Sequence, residues 1–420
     1  MIPAYAGERL FADPSYLEVN KMGEALSGVK VLDFTDGVAG SYCAKLLADF
    51  GAEVIKVEAP NGSELRSKRP FLKDEPHPEK SGAFFYLNTN KKGITLNLKD
   101  TKGIEICRRL VKDADVVVES FAPGAMDKMG CSYEALKGLN DRLIMASITW
   151  FGQDGPYRDH GATNLIAEGI SGAMFTARQT RWPKDRPSVL GGCQAEYRSG
   201  LVASTAILAS LINRAMTDKG TWIDLSIVEC VTSTLAGIAA DYPYMGFSRT
   251  TVPWAIHGYP TQENHPCKDG WINNLPGIGA VPDIADLIEK PELKEDPLFS
   301  KPGARLAEPE KFEALFTPYF KEHSKWEIMK KAQKMRLAFS PTLSPGELFE
   351  DEQLKAREAF HKVEHPVLGE VTYFGAPAKL SETPGKKGRA PLLGEHNDVV
   401  YKAIGYTEQE LTILKEQGII

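Results

Sequence analysis

Two apolar runs flanking a glycine-bounded helical stretch open the chain and restrict its fold more than any other feature. The first run is Val29-Lys30-Val31-Leu32-Asp33-Phe34 and the second is Glu53-Val54-Ile55-Lys56-Val57-Glu58. Between them, Gly37-Val38-Ala39-Gly40-Ser41 makes a turn and Leu46 to Phe50 reads as helix. Gly51 stands just past the helix, where glycine commonly closes one. Strand, helix, strand in this order is a β-α-β unit, and its two strands pair in parallel. Strand-like runs recur at Asp115-Val116-Val117-Val118-Glu119, Leu143 to Thr149 and Trp222-Ile223-Asp224-Leu225-Ser226, with helical segments at 102–113 and 194–213. The expected class is therefore α/β. The G-x-G-x-x-G fingerprint is absent from the first turn, which discounts NAD and FAD.

At 420 residues the chain is long enough for two or three domains. Its 42% apolar and 25% charged residues are ordinary for a soluble globular protein, and a net charge of −6 gives no sign of a nucleic-acid partner. The six cysteines are dispersed with no C-x-x-C pair, which argues against zinc and a disulfide scaffold and fits a reducing cytoplasm. His257, His265 and His323 show no metal-ligand spacing. The first residues lack the pattern of a signal peptide, and no apolar run approaches the roughly 20 residues a membrane helix needs.

Residues 1–28 read as an extension and 29–229 as the first part of a large α/β domain. Residues 230–340, richer in Pro and Trp with short helices at 309–320 and 325–335, read as a smaller domain. A C-terminal part, 341–420, contains the strand-like Glu370 to Phe374 and a helix from Thr407 to Lys415. Gly277-Ile278-Gly279 reads as a turn. Near the middle of the chain, Gly155-Pro156 signals a turn, and Asn164 then stands where an N-cap would, before the apolar-periodic Leu165 to Gly172. Taken alone, such an Asn is a helix cap.

Several ordered stretches carry more than pattern. They are Val31-Leu32-Asp33, Ala39-Gly40 and Leu46 through Glu58; Asn88 with Lys91-Lys92; and Phe121-Ala122-Pro123-Gly124 with Asp127-Lys128-Met129-Gly130. Further along come Gly155-Pro156 with Asn164 and Ser171-Gly172, then Asp224-Leu225-Ser226, and last Ala390-Pro391-Leu392-Leu393-Gly394-Glu395-His396. In residue type, order and spacing they resemble the class III CoA-transferases, the family that includes carnitine and formyl-CoA transferases and α-methylacyl-CoA racemase.

The resemblance spans roughly residues 28–415. It implies a large Rossmann-like parallel-sheet domain plus a smaller α+β domain, with the C-terminal part returning to the first. Two chains would interlace, each site lying between domains of different chains. It implies coenzyme A or acyl-CoA as substrate and no metal, with Val38, Ala39, Asn88, Lys91, Lys92, Phe121, Lys128 and Met129 on the CoA side. The family's catalytic Asp falls on Asn164. The chain also has Asp36 and Ser41 where relatives often have Arg and Pro, and Ala122 where many have Arg.

A neutral amide cannot act as the anionic nucleophile of covalent acyl transfer. The expected function is thus one subunit of a CoA-transferase that moves CoA from an acyl-CoA such as succinyl-CoA to an organic acid, aromatic acids included. A homologous subunit bearing the Asp would complete it, and this chain alone would be inactive. Two alternatives stay open. One is a homomeric acyl-CoA isomerase or racemase without a covalent intermediate, using His160 or Glu168 as acid–base group. The other is an acyl-CoA-binding scaffold.

Overall fold

The computed structural model describes residues 23–176, 187, 189–235, 242–244, 246, 264–274 and 280–420. In chain order these begin with β1 (Lys30–Phe34), α1 (Val38–Asp49), β2 (Glu53–Glu58), α2 (Gly82–Leu87), β3 (Lys92–Thr95), α3 (Thr101–Lys112), β4 (Val116–Glu119), α4 (Ala125–Lys128) and α5 (Tyr133–Lys137). There follow β5 (Ile144–Thr149), α6 (Asn164–Ile170), α7 (Ala173–Thr176), α8 (Gln194–Thr217), β6 (Thr221–Ser226) and α9 (Ile227–Ser233). The six strands form one all-parallel sheet in the order β3-β2-β1-β4-β5-β6. β4 and β5 are buried along their whole length, as strands covered on both faces must be. Strand order reverses between β1 and β4, and a doubly wound sheet opens a ligand crevice at that reversal.

Two close approaches set the helices on one face of this sheet. A Cβ at Gly40 would lie 2.3 Å from the Thr35 side chain, and one at Gly200 would lie 2.5 Å from the Ala39 carbonyl oxygen. Glycine at these positions lets α1 sit against the end of β1 and lets α8 cross directly over α1.

The chain divides into two compact units, one of Met1–Ser171, Leu190–Thr234 and Glu358–Ile420, the other of Gly172–Val189 and Leu235–Arg357. In the first, a hairpin of β10 (Phe360–His365) and β11 (Gly369–Phe374) precedes the helices Asn397–Ala403 and Glu408–Glu416. Thr407 caps the last helix with a full capping box. Residues of the C-terminal segment, from His396 to Ile419, cover the exposed edge of β3 and the turn after it. Gly93 N donates to His396 Nδ1 at 3.1 Å, Thr95 N to Asn397 Oδ1 at 2.9 Å and Asn97 N to the Ile419 carbonyl at 2.7 Å.

The second unit holds the antiparallel sheet β7 (Asn264–Cys267), β8 (Gly270–Asn274) and β9 (Phe339–Thr342). It packs around Phe299, Phe312, Phe316 and Phe320, whose rings meet at centroid distances of 5.1–5.3 Å. The architecture is thus α/β with a large parallel sheet and a smaller α+β unit.

One expectation needs correction. α8 runs through Thr217 rather than ending at Asn213, and Asp218 closes it in the left-handed region at φ 59°. At 24 residues it is also the one helix, among the described residues, long and apolar enough by length and composition to cross a membrane. In this fold Ala195, Ser199, Gly200, Ala203 and Ile207 bury one of its faces. Residues 1–22, His257 and Gly277-Ile278-Gly279 lie outside the described residues.

Candidate active site

A crevice of about 340 Å³ opens at the carboxyl ends of β1, β4 and β5. Asp36, Ala39 and Gly40 enter it after β1, Ser120 to Pro123 after β4, and Ile148 to Trp150 at the end of β5. Arg158 to Gly161 come from the following loop and Glu196 from the first turn of α8. The turn residues hold one another in place. Asp36 N donates to Ser120 Oγ at 2.9 Å, which ties the ends of β1 and β4 together. The Asp36 carboxylate accepts from Ser63 Oγ at 2.6 Å and from Glu64 N at 3.0 Å. That carboxylate anchors a loop, and its charge is spread over these donors. Glu196 Oε1 accepts from Val38 N, an N–H of the first turn of α1, at 3.2 Å. Burial pushes the Glu196 carboxyl above the usual range, against the pull of Val38 N–H and the Cys193 thiol. Arg158 brings a guanidinium to the wall, beside the Pro123-Gly124 turn. A Cβ at Gly124 would stand 3.1 Å from one of its nitrogens.

The residues expected on the CoA side separate into three groups. Ala39 and Phe121 line the crevice, and Val38 adjoins it through Glu196. Lys91 does not reach it. Its ammonium donates to Asp33 Oδ2 at 2.8 Å, the Ser41 carbonyl at 2.9 Å and Asn88 Oδ1 at 2.9 Å, so all three of its donors are used inside the protein. Asn88 is itself fully buried. Lys92, partly exposed at the start of β3, pairs with Glu53 at 2.6 Å. Lys128 is exposed on α4 and Met129 packs on the sheet core, both away from the crevice lining. The basic pair is therefore a structural anchor plus a surface ion pair, because the buried Asp33 draws Lys91 inward.

Asn164 is the first helical residue of α6, and Thr163, with φ −133° and ψ 171°, is the N-cap. This corrects the expected cap by one position. Turned into the helix, the Asn164 amide bonds Glu168 and the start of α8. Nδ2 donates to Glu168 Oε1 at 2.9 Å and to the Gly192 carbonyl at 3.2 Å, while Oδ1 accepts from Ala195 N at 2.9 Å. Asp159 is exposed and lies 3.6 Å from Arg158 Nε. His160 lines the crevice, its ring edge-on to Tyr157 at 5.3 Å.

Sequence reasoning passed over Glu196 and Arg158. The first looks like any acidic residue in a helical first turn, and the second follows the Gly155-Pro156 turn already singled out. Among the described residues no group of three or more His, Cys, Asp or Glu side chains is placed to hold a metal ion.

A parallel sheet with this strand order and a crevice at its reversal defines a doubly wound ligand-binding protein. Comparison with known proteins is more specific. The family model described as CoA-transferase family III matches residues 26–397. The chain is 35% identical to a protein named formyl-CoA:oxalate CoA-transferase from Streptomyces avermitilis, over 95% of this chain and 100% of that one. A protein of the same name from Rhodopseudomonas palustris is 34% identical, over 95% and 98%. Among solved structures, a CAIB/BAIF family protein from Brucella suis matches with a TM-score of 0.82 and 30% identity, over 91% of this chain and 100% of that one. The chain belongs to CoA-transferase family III. The family's enzymes transfer CoA and take acyl-CoA as substrate.

Proposed function

We propose that this chain is the non-nucleophilic subunit of a heteromeric CoA-transferase, working beside a homologous chain that carries the Asp. It would pass CoA from an acyl-CoA such as succinyl-CoA to an organic acid, aromatic acids included. The observation that carries the reading is the polarity at position 164: two N–H bonds leave the side chain toward carbonyl and carboxylate oxygens.

In the partner, the Asp carboxylate attacks the thioester carbonyl, giving a mixed anhydride and CoA thiolate. The thiolate attacks the aspartyl carbonyl, releasing the first acid and leaving an enzyme thioester. The acceptor carboxylate then attacks that thioester, and the thiolate released takes the acceptor's acyl group, which frees the Asp. Asn164 cannot begin this sequence, since its nitrogen lone pair is delocalised and it bears no charge.

An exposed apolar surface supports association of two chains. Leu165, Ile166 and Ile170 on α6 and Leu201, Leu208, Ile212 and Met216 on α8 all face solvent, with Ile212 64% exposed. Apolar side chains exposed in such numbers on neighbouring helices mark an interface. The interlaced pairing inferred from the family would cover it. Within the crevice, Arg158 is the cation suited to the acyl-CoA phosphates.

His160 favours a second reading. It lines the crevice whereas Glu168 is buried, so a non-covalent acyl-CoA isomerase would use His160 as its acid–base group. Native mass spectrometry of the chain purified from its own source separates the two. A second chain of similar mass in the complex is expected, and a pure homodimer would overturn the heteromer.

A further inference from the structure

Asn164 and Glu168 lie one turn apart on the same side of α6, and the carboxylate is 1% exposed. Asn164 Nδ2, 2.9 Å away, is the sole donor to Glu168 Oε1 among the described residues, and Oε2 is buried without a partner. The remaining amide hydrogen goes to the Gly192 carbonyl at 3.2 Å. The amide oxygen takes Ala195 N–H at 2.9 Å, a first-turn donor that the N-cap residue Cys193 leaves unsatisfied. Each side-chain polar group of residue 164 thus meets a neighbour of fixed polarity, donor against acceptor.

We propose that Glu168 fixes an amide at position 164 and so excludes a free carboxylate there. The inference rests on the reading of position 164 as the family's reaction position. An Asp would turn an acceptor toward Glu168 Oε1 and toward the Gly192 carbonyl, where two N–H groups now stand. Two carboxyl groups at hydrogen-bond distance in a buried setting cannot both ionise, so one keeps a proton. The resulting acid–carboxylate pair lacks the free, hydrogen-bond-poised anion that attack on a thioester needs. The amide at position 164 is therefore held by a partner of fixed polarity, with Glu168 as the positioning residue. An exchange of polarity, amide at 168 and carboxylate at 164, undoes it.

Three variants of the full chain test this: N164D, E168Q and N164D/E168Q. Thermal unfolding is followed at pH 5 and pH 8. A carboxyl whose folded pKa lies above its unfolded value binds more protons when folded, so stability falls as pH rises past the unfolded value. N164D is expected to match the parent most closely at pH 5 and to melt at least about 3 °C lower at pH 8. E168Q alone leaves the Asn164 bond to an amide oxygen intact and shows no such pH dependence. In N164D/E168Q the Gln amide donates to the introduced carboxylate and most of the lost melting temperature returns. N164D equal to the parent at both pH values, or a double variant no better than the single, overturns the proposal. Should N164D fail to fold, a folded double variant supports it and an unfolded one overturns it.

A second readout addresses the underlying reading. The double variant is incubated with succinyl-CoA and hydroxylamine, which converts an aspartyl anhydride or thioester at 164 to a hydroxamate visible by peptide mass spectrometry. Recovered stability without hydroxamate leaves the polarity lock standing and overturns position 164 as the reaction position.

Discussion

Lys91 Nζ lies 2.8 Å from Asp33 Oδ2, and both side chains are fully buried. Lys56 Nζ approaches the other carboxylate oxygen at 3.5 Å. This ion cluster sits where β1 passes into α1, one short turn from the crevice. A pair of lysines that reads as a phosphate site thus provides one member to hold the fold and one to the surface.

Breaking the cluster on one side leaves an unpaired buried charge. K91M is expected to lower stability by about 3–5 kcal/mol, measured by urea unfolding. A K91M chain that stays folded is expected to bind CoA with unchanged affinity, as isothermal titration would show, because the Lys91 ammonium does not face the crevice.

The same cluster sets an acid limit. Burial alone would push the Asp33 carboxyl up, but Lys56 and Lys91 with their hydrogen bonds hold it down at about 2. A carboxyl held low when folded contributes stability that is complete above its unfolded pKa of about 3.9 and is lost as pH falls toward 2. Unfolding midpoints in urea should drop steeply below about pH 4. In a D33N chain, already weaker at neutral pH, that part of the drop should be missing.

Arg158 supplies a guanidinium to the crevice wall, beside the Pro123-Gly124 turn. R158A is expected to weaken CoA binding by about tenfold or more, in line with the roughly 1.5–3 kcal/mol of a hydrogen bond to a charged group. Calorimetric titration with CoA checks this, and R158K should recover only part of the loss, since Lys lacks the bidentate fork.

Glu196 gives that binding a pH dependence. Burial raises its carboxyl, so the crevice gains a negative charge as pH rises through the shifted value. CoA affinity should fall over that rise, because like charges repel. E196Q keeps an acceptor for Val38 N–H but cannot ionise. It should bind CoA more tightly than the parent at pH 8 and show a flatter profile.

The apolar face of α8 is the most direct test of association. Ile212 is 64% exposed and lies one turn from the exposed Leu208 and Met216. I212D places a charge at the centre of that stripe and is expected to halve the mass seen by size-exclusion chromatography with light scattering, leaving the circular dichroism unchanged.

Much of the frame was legible. Five of the six strands of the parallel sheet, β3 excepted, fall within a residue or so of the apolar runs that announced them. The final helix begins at the Thr407 cap, where Thr407 and Glu410 spell a capping box. The strand Phe360–His365 was not read, because His, Lys and Glu interrupt its apolar alternation and only pairing with Gly369–Phe374 makes it a strand. The candidate site was read by position more than by partner: Ala39 and Phe121 reached the crevice, while Lys91 and Asn88 turned inside.

The sequence by itself determined the α/β class, five strands of the parallel sheet and the helices between them, the family, and the amide at position 164. These follow from periodicity, turn residues and the identity of single positions. Only the tertiary structure decided what each polar group faces. Asp33 meets Lys91 across 58 residues of sequence, and Asn164 meets Ala195 across 31. A buried charge or amide is stable only against a partner of opposite polarity at hydrogen-bond distance, and such partners are brought together by the packing of distant segments.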